Sequence, residues 1–320
     1  MADLKIDNLK AHFFTSTGTV RAVDGVSFSL SGKSLGIAGE SGSGKTTLGL
    51  ALMNLIPPPG RIVSGSIFLD GKDILRLSEE EYRTEVRWKQ ISMVFQGAMN
   101  ALNPVYTIGH QLMEPLKYNS GLVGEEARKK VEDALGEVGL DSSMMRRYPH
   151  ELSGGMKQRV VIAMALILRP KIVIADEPTT ALDVIVQAQV INLLKRLKKD
   201  LGISIIMITH DLGVISELAD IVGIMYAGEL VEIGSAEHVY NNPKHPYTQK
   251  LLNAVPRLRG KNTKLEAIPG IPPDLKNPPS GCRFHPRCPY VMDVCKVSSP
   301  PYFTFDSDQK AACWLYKEKA

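Results

Sequence analysis

No part of the chain stays apolar for long. The longest uninterrupted apolar run, Val160 to Leu168, is followed at once by Arg169 and Pro170, and it is far shorter than the roughly 20 residues a helix needs to cross a bilayer. The sequence therefore predicts no membrane span. The opening Met-Ala-Asp-Leu-Lys lacks the charged segment and apolar core of a secretory signal, which makes the cytosol the expected compartment. Charge of one sign is scarce as well: a net +4 at pH 7 argues against a nucleic-acid partner, which would show as dense Lys/Arg clusters. The short basic runs Arg128–Lys130 and Lys195–Lys199 read as solvated helix faces. Cysteine is missing everywhere before Cys282, and no internal repeat is visible. What remains is a chain of 320 residues, 44% apolar and 22% charged, able to bury a full core in one large domain with an appendage.

Two kinds of strand pattern are present. Leu4/Ile6 and Val26/Phe28/Leu30 alternate with polar residues, as in a sheet with one solvated face, whereas Ile172–Ala175 and Ile203–Ile208 are near-continuous apolar runs, which suit a parallel sheet covered on both faces. Asp70-Gly71 after the strand-like Gly65–Leu69 predicts a hairpin turn. Val186, Val190, Leu193, Leu194, Leu197 and Leu201 fall at helical spacing with lysines opposite. Between about 97 and 168 the pattern is mainly helical, with Glu125–Val138 and Gly154–Leu168 the clearest helices. Beyond about Ser235 helical periodicity is mostly lost, and twelve of the twenty prolines lie between Pro243 and Pro301. The expected organisation is an α/β domain over residues 1–235, with a helical subdomain inserted at about 97–168, and a Pro/Cys-rich extension over 236–320.

Gly39-Glu40-Ser41-Gly42-Ser43-Gly44-Lys45-Thr46 fits a phosphate-binding P-loop, with strand-like Ser34–Ala38 before it and helix-like Thr47–Leu55 after it. Glycines let the backbone wrap so that successive N–H groups of Ser41, Gly42, Ser43, Gly44, Thr46 and Thr47 face phosphate at a helix N-terminus. Lys45 neutralises β/γ charge, and the Thr46 hydroxyl suits Mg²⁺. A buried strand, Ile172–Ala175, then delivers Asp176 and Glu177 to the sheet edge where ligands of α/β proteins bind. Asp176 suits indirect Mg²⁺ coordination, and Glu177 suits polarising an attacking water. Without the P-loop, the same acids would read as a solvated turn.

Leu152-Ser153-Gly154-Gly155-Met156-Lys157-Gln158-Arg159 resembles the signature motif of the ABC ATPases. Physically, Ser-Gly-Gly opening a helix offers bare N–H groups and a hydroxyl to an anion; in isolation it could be a capped helix and nothing more. Gln96 after Met93-Val94-Phe95 resembles that family's Q-loop, Ala181-Leu182-Asp183 its D-loop, and Thr209-His210-Asp211 its switch-histidine loop. Phe13 resembles the aromatic that stacks on adenine, with Phe14 an adjacent alternative. The resemblance covers essentially the whole chain. It implies a P-loop NTPase fold of the ABC cassette type, with a RecA-like core, an antiparallel β subdomain and an inserted helical subdomain. It further implies two ATPase subunits packed head to tail, with ATP and Mg²⁺ as cofactors. Ser153, Gly154 and Gly155 would face the partner's nucleotide, and Asp183 would belong to the same cofactor-binding set. Glu177 would act as base, His210 would contact the γ-phosphate, and Gln96 would link Mg²⁺ to the surface receiving a transmembrane subunit.

Leu102-Asn103-Pro104, Thr179–Val184, Met225-Tyr226-Ala227-Gly228, His245-Pro246-Tyr247-Thr248 and Gly281-Cys282-Arg283-Phe284-His285-Pro286-Arg287-Cys288-Pro289 narrow the resemblance to the oligopeptide/dipeptide/nickel importer ATPases of the D-component type. That implies a heterodimer with a second ATPase, two permeases and an extracellular substrate-binding protein, with this chain peripheral on the cytoplasmic face of the membrane. Gln96-Gly97-Ala98-Met99-Asn100-Ala101 departs from the commoner Gln-Asp-Pro-Met-Thr-Ser, at the region expected to receive the permease. The four cysteines, Cys282, Cys288, Cys295 and Cys313, are spaced C-x5-C-x6-C-x17-C and lack the close pairs usual in zinc sites. Four thiolates, one followed by Pro289, suit a [4Fe–4S] cluster, which the resemblance also implies; zinc, disulfides and free thiols remain open.

The expected function is ATP hydrolysis powering import of oligopeptides or dipeptides. Oligosaccharide or nickel import by the same motor is an alternative. A soluble ABC ATPase acting on nucleic acid or ribosomes is a rival of another class, against which stand the single cassette and the lack of a heptad insert. A GTPase is disfavoured by the absence of an Asn-Lys-x-Asp motif, and an exporter half by the absence of membrane helices.

Overall fold

The computed structural model describes residues 2–254, 268–305 and 308–319. In chain order the elements begin with β1 (Asp3–Thr15), β2 (Gly18–Ser31), β3 (Leu35–Ala38), α1 (Lys45–Leu52), β4 (Gly60–Leu69), β5 (Lys72–Asp73), α2 (Glu79–Glu81) and β6 (Ile91–Val94). There follow α3 (Ile108–Ser120), α4 (Gly124–Glu137), α5 (Gly154–Leu166), β7 (Ile172–Asp176), α6 (Val184–Leu201), β8 (Ser204–Ile208) and α7 (Leu212–Leu218). The last are β9 (Ile221–Tyr226), β10 (Glu229–Ser235), α8 (Ala236–Asn241), α9 (Pro246–Asn253), α10 (Asp293–Val297), β11 (Tyr302–Phe305) and β12 (Gln309–Ala312). The chain divides into two compact units, one of residues 1–3, 30–34 and 68–207, the other of residues 4–29, 35–67 and 208–320.

In the first unit, β8, β7 and β6 are neighbours in that order, and β6 runs parallel to β7 with Ile91 opposite Ile172. Every residue of β7 and β8 is buried, which accounts for their unbroken apolar sequences: a strand covered on both faces has no polar side to alternate with. Helices α3, α4 and α5 lie in the chain between β6 and β7 and pack against one another. The run Val160–Ile167 is apolar all round because α5 is the inner helix, with Val160, Val161, Ile162, Ala163, Ala165 and Leu166 all buried. The amphipathic α6 instead buries Val190, Ile191, Leu193, Leu194 and Leu197. Asp70-Gly71 turns the chain from β4 into β5, which pairs antiparallel with it, Leu69 opposite Lys72.

In the second unit the strand order is β11-β12-β10-β9-β3. β3 is parallel to β9, Leu35 opposite Ile221, whereas β10 is antiparallel to both β9 and β12. β1 alternates buried and exposed residues over most of its length and β2 does so from Gly25 on; both belong to a separate sheet with β4, in the order β2-β1-β4. Two details differ from the sequence reading. The helix after the phosphate loop starts at Lys45, not Thr47, and ends at Leu52. The region after Ser235 is not without regular structure: α8, α9 and α10 are short helices, and β12 joins the edge of β10 through Glu232–Ala311 and Ile233–Lys310. Helices of one or two turns carry too few apolar positions to reveal a period.

Candidate functional site

The phosphate loop joins the end of β3 to the start of α1 in the second unit. Two of its glycines are required by both conformation and space. Gly39 has φ +154° and a Cβ there would lie 2.2 Å from the Met225 carbonyl oxygen; Gly44 has φ +100° and a Cβ would lie 1.9 Å from the Ala22 carbonyl oxygen. Nζ of Lys45 donates to the carbonyls of Gly39 at 2.8 Å and Glu40 at 2.9 Å, so the ammonium is held over the loop. The loop is also pinned from β9–β10, where Gly228 N–H donates to the Ser43 carbonyl at 2.9 Å. Ser41, Gly42 and Thr46 are exposed, Thr47 is half-buried and Ser43 is buried.

Beside this loop is a pocket of about 290 Å³ lined by Phe13, Val20, Ala22, Gly42, Gly44, Lys45, Thr46, Thr47 and Leu275. Its apolar wall, cationic lysine and helix start match a nucleotide's flat base and anionic tail. The Thr46 hydroxyl at the helix start suits a hard cation beside phosphate. The pocket separates the two candidate aromatics: Phe13 lines it, whereas Phe14 lies under the Arg61 guanidinium, 4.5 Å from ring centroid to Cζ. In the same unit, Thr209 N–H donates to the Ile37 carbonyl at 3.2 Å, fixing the Thr209–Asp211 loop to β3. His210 follows it and is exposed, while Asp211 caps α7 by accepting from Gly213 and Val214 N–H.

The first unit holds the remaining residues. β7 ends in the buried Asp176, and Glu177 adopts φ +47°, an uncommon conformation for a residue with a side chain. Its carboxylate accepts from the Thr180 hydroxyl at 2.9 Å. Asp183 caps α6, accepting from Ile185 and Val186 N–H at 3.0 Å each. Ser153 caps α5 through Met156 N–H at 3.4 Å, and Gly154 and Gly155 form its first turn. A Cβ on Gly155 would meet Val186 Cγ1 at 2.6 Å, so the signature turn packs closely on α6. Gln96 is exposed after β6. Next to it Trp88, Met93, Phe95, Leu102, Tyr106 and Met164 line an apolar hollow of about 280 Å³.

All four cysteines belong to the second unit. Cys282 N–H donates to the Cys295 carbonyl at 2.8 Å. Burial is the main cause that pushes the Cys282 thiol up to about 12 and the Cys313 thiol up to about 11, and the neighbouring cysteine charges add to it. Four thiols in mutual electrostatic reach are a donor set of the right chemistry for a metal group. Among the described residues, however, no three His, Cys, Asp or Glu side chains are arranged to hold a metal ion.

The structure also brings to the phosphate loop residues that motif reading did not single out as site residues. Arg287 donates to both carboxylate oxygens of Glu40, at 2.6 and 3.0 Å, and Glu40 N–H donates to the Tyr247 hydroxyl at 2.8 Å. The signal was present only as unassigned family resemblance, because Tyr247 and Arg287 lie in the stretches His245–Thr248 and Gly281–Pro289.

A family model described as ABC transporter matches residues 23–180, and one described as the oligopeptide/dipeptide transporter C-terminal region matches residues 231–295. The oligopeptide transport ATP-binding protein AppD of Bacillus subtilis is 46% identical over 99% of this chain and 97% of its own length. The chain belongs to the ATP-binding subunits of the oligopeptide/dipeptide type of ABC transporter. Two other relatives agree: OppD of Salmonella typhimurium is 48% identical (97% of this chain, 93% of that one), and DppD of Caldanaerobacter subterraneus is 44% identical (98% and 97%). The ABC cassette fold also matches a solved dimer, that of the bacterial ABC transporter cassette MJ0796. It aligns at a TM-score of 0.65 and 30% identity over 73% of this chain and 98% of that one. A second form of MJ0796, bound to ADP and Pi, aligns at 0.64 and 29% over the same shares. No helix among the described residues is long and apolar enough to cross a membrane.

Proposed function

We propose that this ABC subunit hydrolyses ATP on the cytoplasmic face of the membrane to drive import of oligopeptides or dipeptides through permease subunits. The observation that carries the reading is the phosphate loop itself: two glycines that admit no Cβ, Lys45 held over the loop, and a pocket of about 290 Å³ with Phe13 on its apolar wall. The peptide cargo is supported by the full-length similarity to oligopeptide and dipeptide transport ATP-binding proteins.

In this reading the N–H groups of Ser41 to Thr47 and the ammonium of Lys45 bind the phosphates, and Phe13 stacks on adenine. Thr46, Asp176 and Gln96 would hold Mg²⁺, which supplies charge neutralisation on the phosphate oxygens. Glu177 orients the attacking water and accepts its proton; the Thr180 hydroxyl, donating to that carboxylate, keeps it aimed. His210 contacts the terminal phosphate. Ser153, Gly154 and Gly155, with Asp183 close by in the chain, face the nucleotide of a second ATPase subunit. Val184 and Ile185, 79% and 72% exposed at the start of α6, support burial of that surface in a dimer. The hollow beside Gln96, with the exposed Phe95 and Tyr106, supports docking of a permease segment. An extracellular binding protein would present the cargo.

The reading divides the chain into a cassette over 1–235 and an extension over 236–320. It assigns Cys282, Cys288, Cys295 and Cys313 to a [4Fe–4S] cluster with a structural role, supported by their being the chain's only cysteines and by the chemistry of four thiolate donors. Anaerobically purified protein should contain about four irons per chain; colourless protein with stoichiometric zinc removes the cluster.

The test of the whole is capture of the Glu177→Gln chain from its own membranes in Mg-ATP, with partners identified by mass spectrometry. Two permeases, a second ATPase and a binding protein carrying peptide support the proposal. A bound sugar or nickel would change the cargo, and DNA or ribosomes without permeases would overturn the transport role.

A further inference from the structure

The second position of a phosphate loop carries no requirement of its own, since the motif needs only its glycines, lysine and hydroxyl. Here it is Glu40, and every polar group of that residue is engaged. Its carbonyl accepts from Lys45 Nζ at 2.9 Å, its N–H donates to the Tyr247 hydroxyl at 2.8 Å, and its carboxylate accepts two hydrogen bonds from Arg287. The partners Tyr247 and Arg287 come from beyond Ser235.

Arg287 is itself anchored. Its side chain is 5% exposed. Nε donates to the Pro269 carbonyl at 2.8 Å, Nη2 reaches the carbonyls of Ile268 and Gly270 at 3.4 Å each, and Nη1 reaches the Tyr226 hydroxyl at 3.3 Å. A buried guanidinium with its fork aligned on a carboxylate is a rigid connector, because planar bidentate geometry leaves little rotational freedom. Tyr226, Tyr247 and Phe284 pack as one aromatic cluster, with centroids 4.6 to 5.4 Å apart, and support both partners of Glu40. Leu275 lines the pocket with Phe13. Its backbone carbonyl accepts from Arg21 N–H at 3.0 Å, and Lys276 Nζ donates to Thr17 at 2.6 Å, which holds this segment against the β1–β2 hairpin.

We propose that the C-terminal extension is a working part of the nucleotide site, in which Arg287 and Tyr247 position the phosphate loop through Glu40 and Leu275 forms part of the wall against the base. Arg287 is a positioning residue: it acts on phosphate through Glu40 and Lys45. Leu275 contacts the nucleotide directly. The proposal rests on the ATPase reading and adds to it a dependence of ATP affinity on residues outside every nucleotide motif.

The test uses the full chain, a fluorescent ribose-labelled ATP, and competition by Mg-ATP and by Mg-tripolyphosphate, which has the phosphates without the base. Arg287→Gln and Glu40→Gln should each weaken both competitors about tenfold, as expected for loss of a charge-assisted hydrogen bond. The double variant should be little worse than either single one, and Arg287→Lys should recover part of the affinity. Leu275→Ser should weaken ATP several-fold and leave tripolyphosphate unchanged. Glu40→Gln keeps the test open if Arg287→Gln fails to fold, because Glu40 is only half-buried and the amide retains one acceptor for Arg287. Wild-type protein that binds ATP beside Glu40→Gln and Leu275→Ser variants of unchanged affinity would overturn the proposal alone. Failure of the wild type to bind either competitor would overturn the ATPase reading and this proposal with it.

Discussion

The phosphate loop and the residues after Ser235 both contribute to one pocket, yet they are built by opposite means. The loop is local. Strand β3, six linking residues and helix α1 follow one another without interruption, and its critical contacts are made by the backbone, where only glycine fits. The extension is held from far away in the chain: Arg287 pairs with Glu40, Arg283 with Asp24 and Glu229, and β12 with β10. A local device tolerates little change and can be recognised from a short string. A long-range device depends on buried side chains whose partners no short string contains.

The largest expected effect lies on the side of the chemistry. Glu177→Gln should lower ATP turnover on the order of 10²–10⁴-fold with ATP affinity retained, since the amide can still accept a hydrogen bond from Thr180 but cannot take a proton. A turnover assay with a parallel binding titration checks this; near-normal turnover would remove Glu177 as the base.

Next comes the extension's core. Phe284 is 1% exposed among Tyr226, Tyr247 and His245, so Phe284→Ala should cost about 3–5 kcal/mol, read as a drop in denaturant midpoint. If that destabilisation leaves ATP affinity intact in the folded protein, the two regions are separable and the long-range contacts do not act on the pocket. Gly44→Ala should sharpen the contrast. With φ +100° and an obstructing backbone oxygen, it should abolish nucleotide binding while lowering the thermal midpoint less than Phe284→Ala does.

The smallest effect is a pH dependence. Burial holds His245 down at about 3, and its Nδ1 accepts from Tyr247 N–H at 3.1 Å, so the folded chain keeps it neutral. The unfolded chain takes up a proton below about 6.5. The stability this group supplies is therefore present above that pH and lost as pH falls from 6.5 towards 3, by at most about 1.4 kcal/mol per pH unit. In His245→Gln the difference in unfolding free energy between pH 7 and pH 5 should shrink; an unchanged difference would mean that other groups dominate.

Much of the fold was legible because its signals are local. The unbroken apolar runs marked β7 and β8 as strands covered on both faces, the turn at Asp70-Gly71 marked the hairpin, and the amphipathic spacing from Val186 marked α6. Less was legible in the site. Motif order singled out Lys45, Asp176, Glu177, Ser153 and His210, but could not choose between Phe13 and Phe14, whose identical side chains differ only in what lies opposite them. Beyond Ser235 helical periodicity is mostly lost from the sequence, yet the segment contains α9 and the strand β12. Eight residues of α9, with buried Pro246, Tyr247, Thr248 and Leu252, are too few to display a period.

By itself the sequence determined the family, the phosphate-loop motif and the covered strand that ends at Asp176, because a P-loop and a covered strand are written in consecutive residues whose backbone geometry depends on little else. Only the tertiary structure decided that Glu40 is gripped by an arginine 247 positions away, that Leu275 reaches the pocket, and that Phe13 rather than Phe14 lines it. Those contacts arise from which buried groups must find partners when distant segments pack, and desolvation imposes that requirement on the folded chain as a whole.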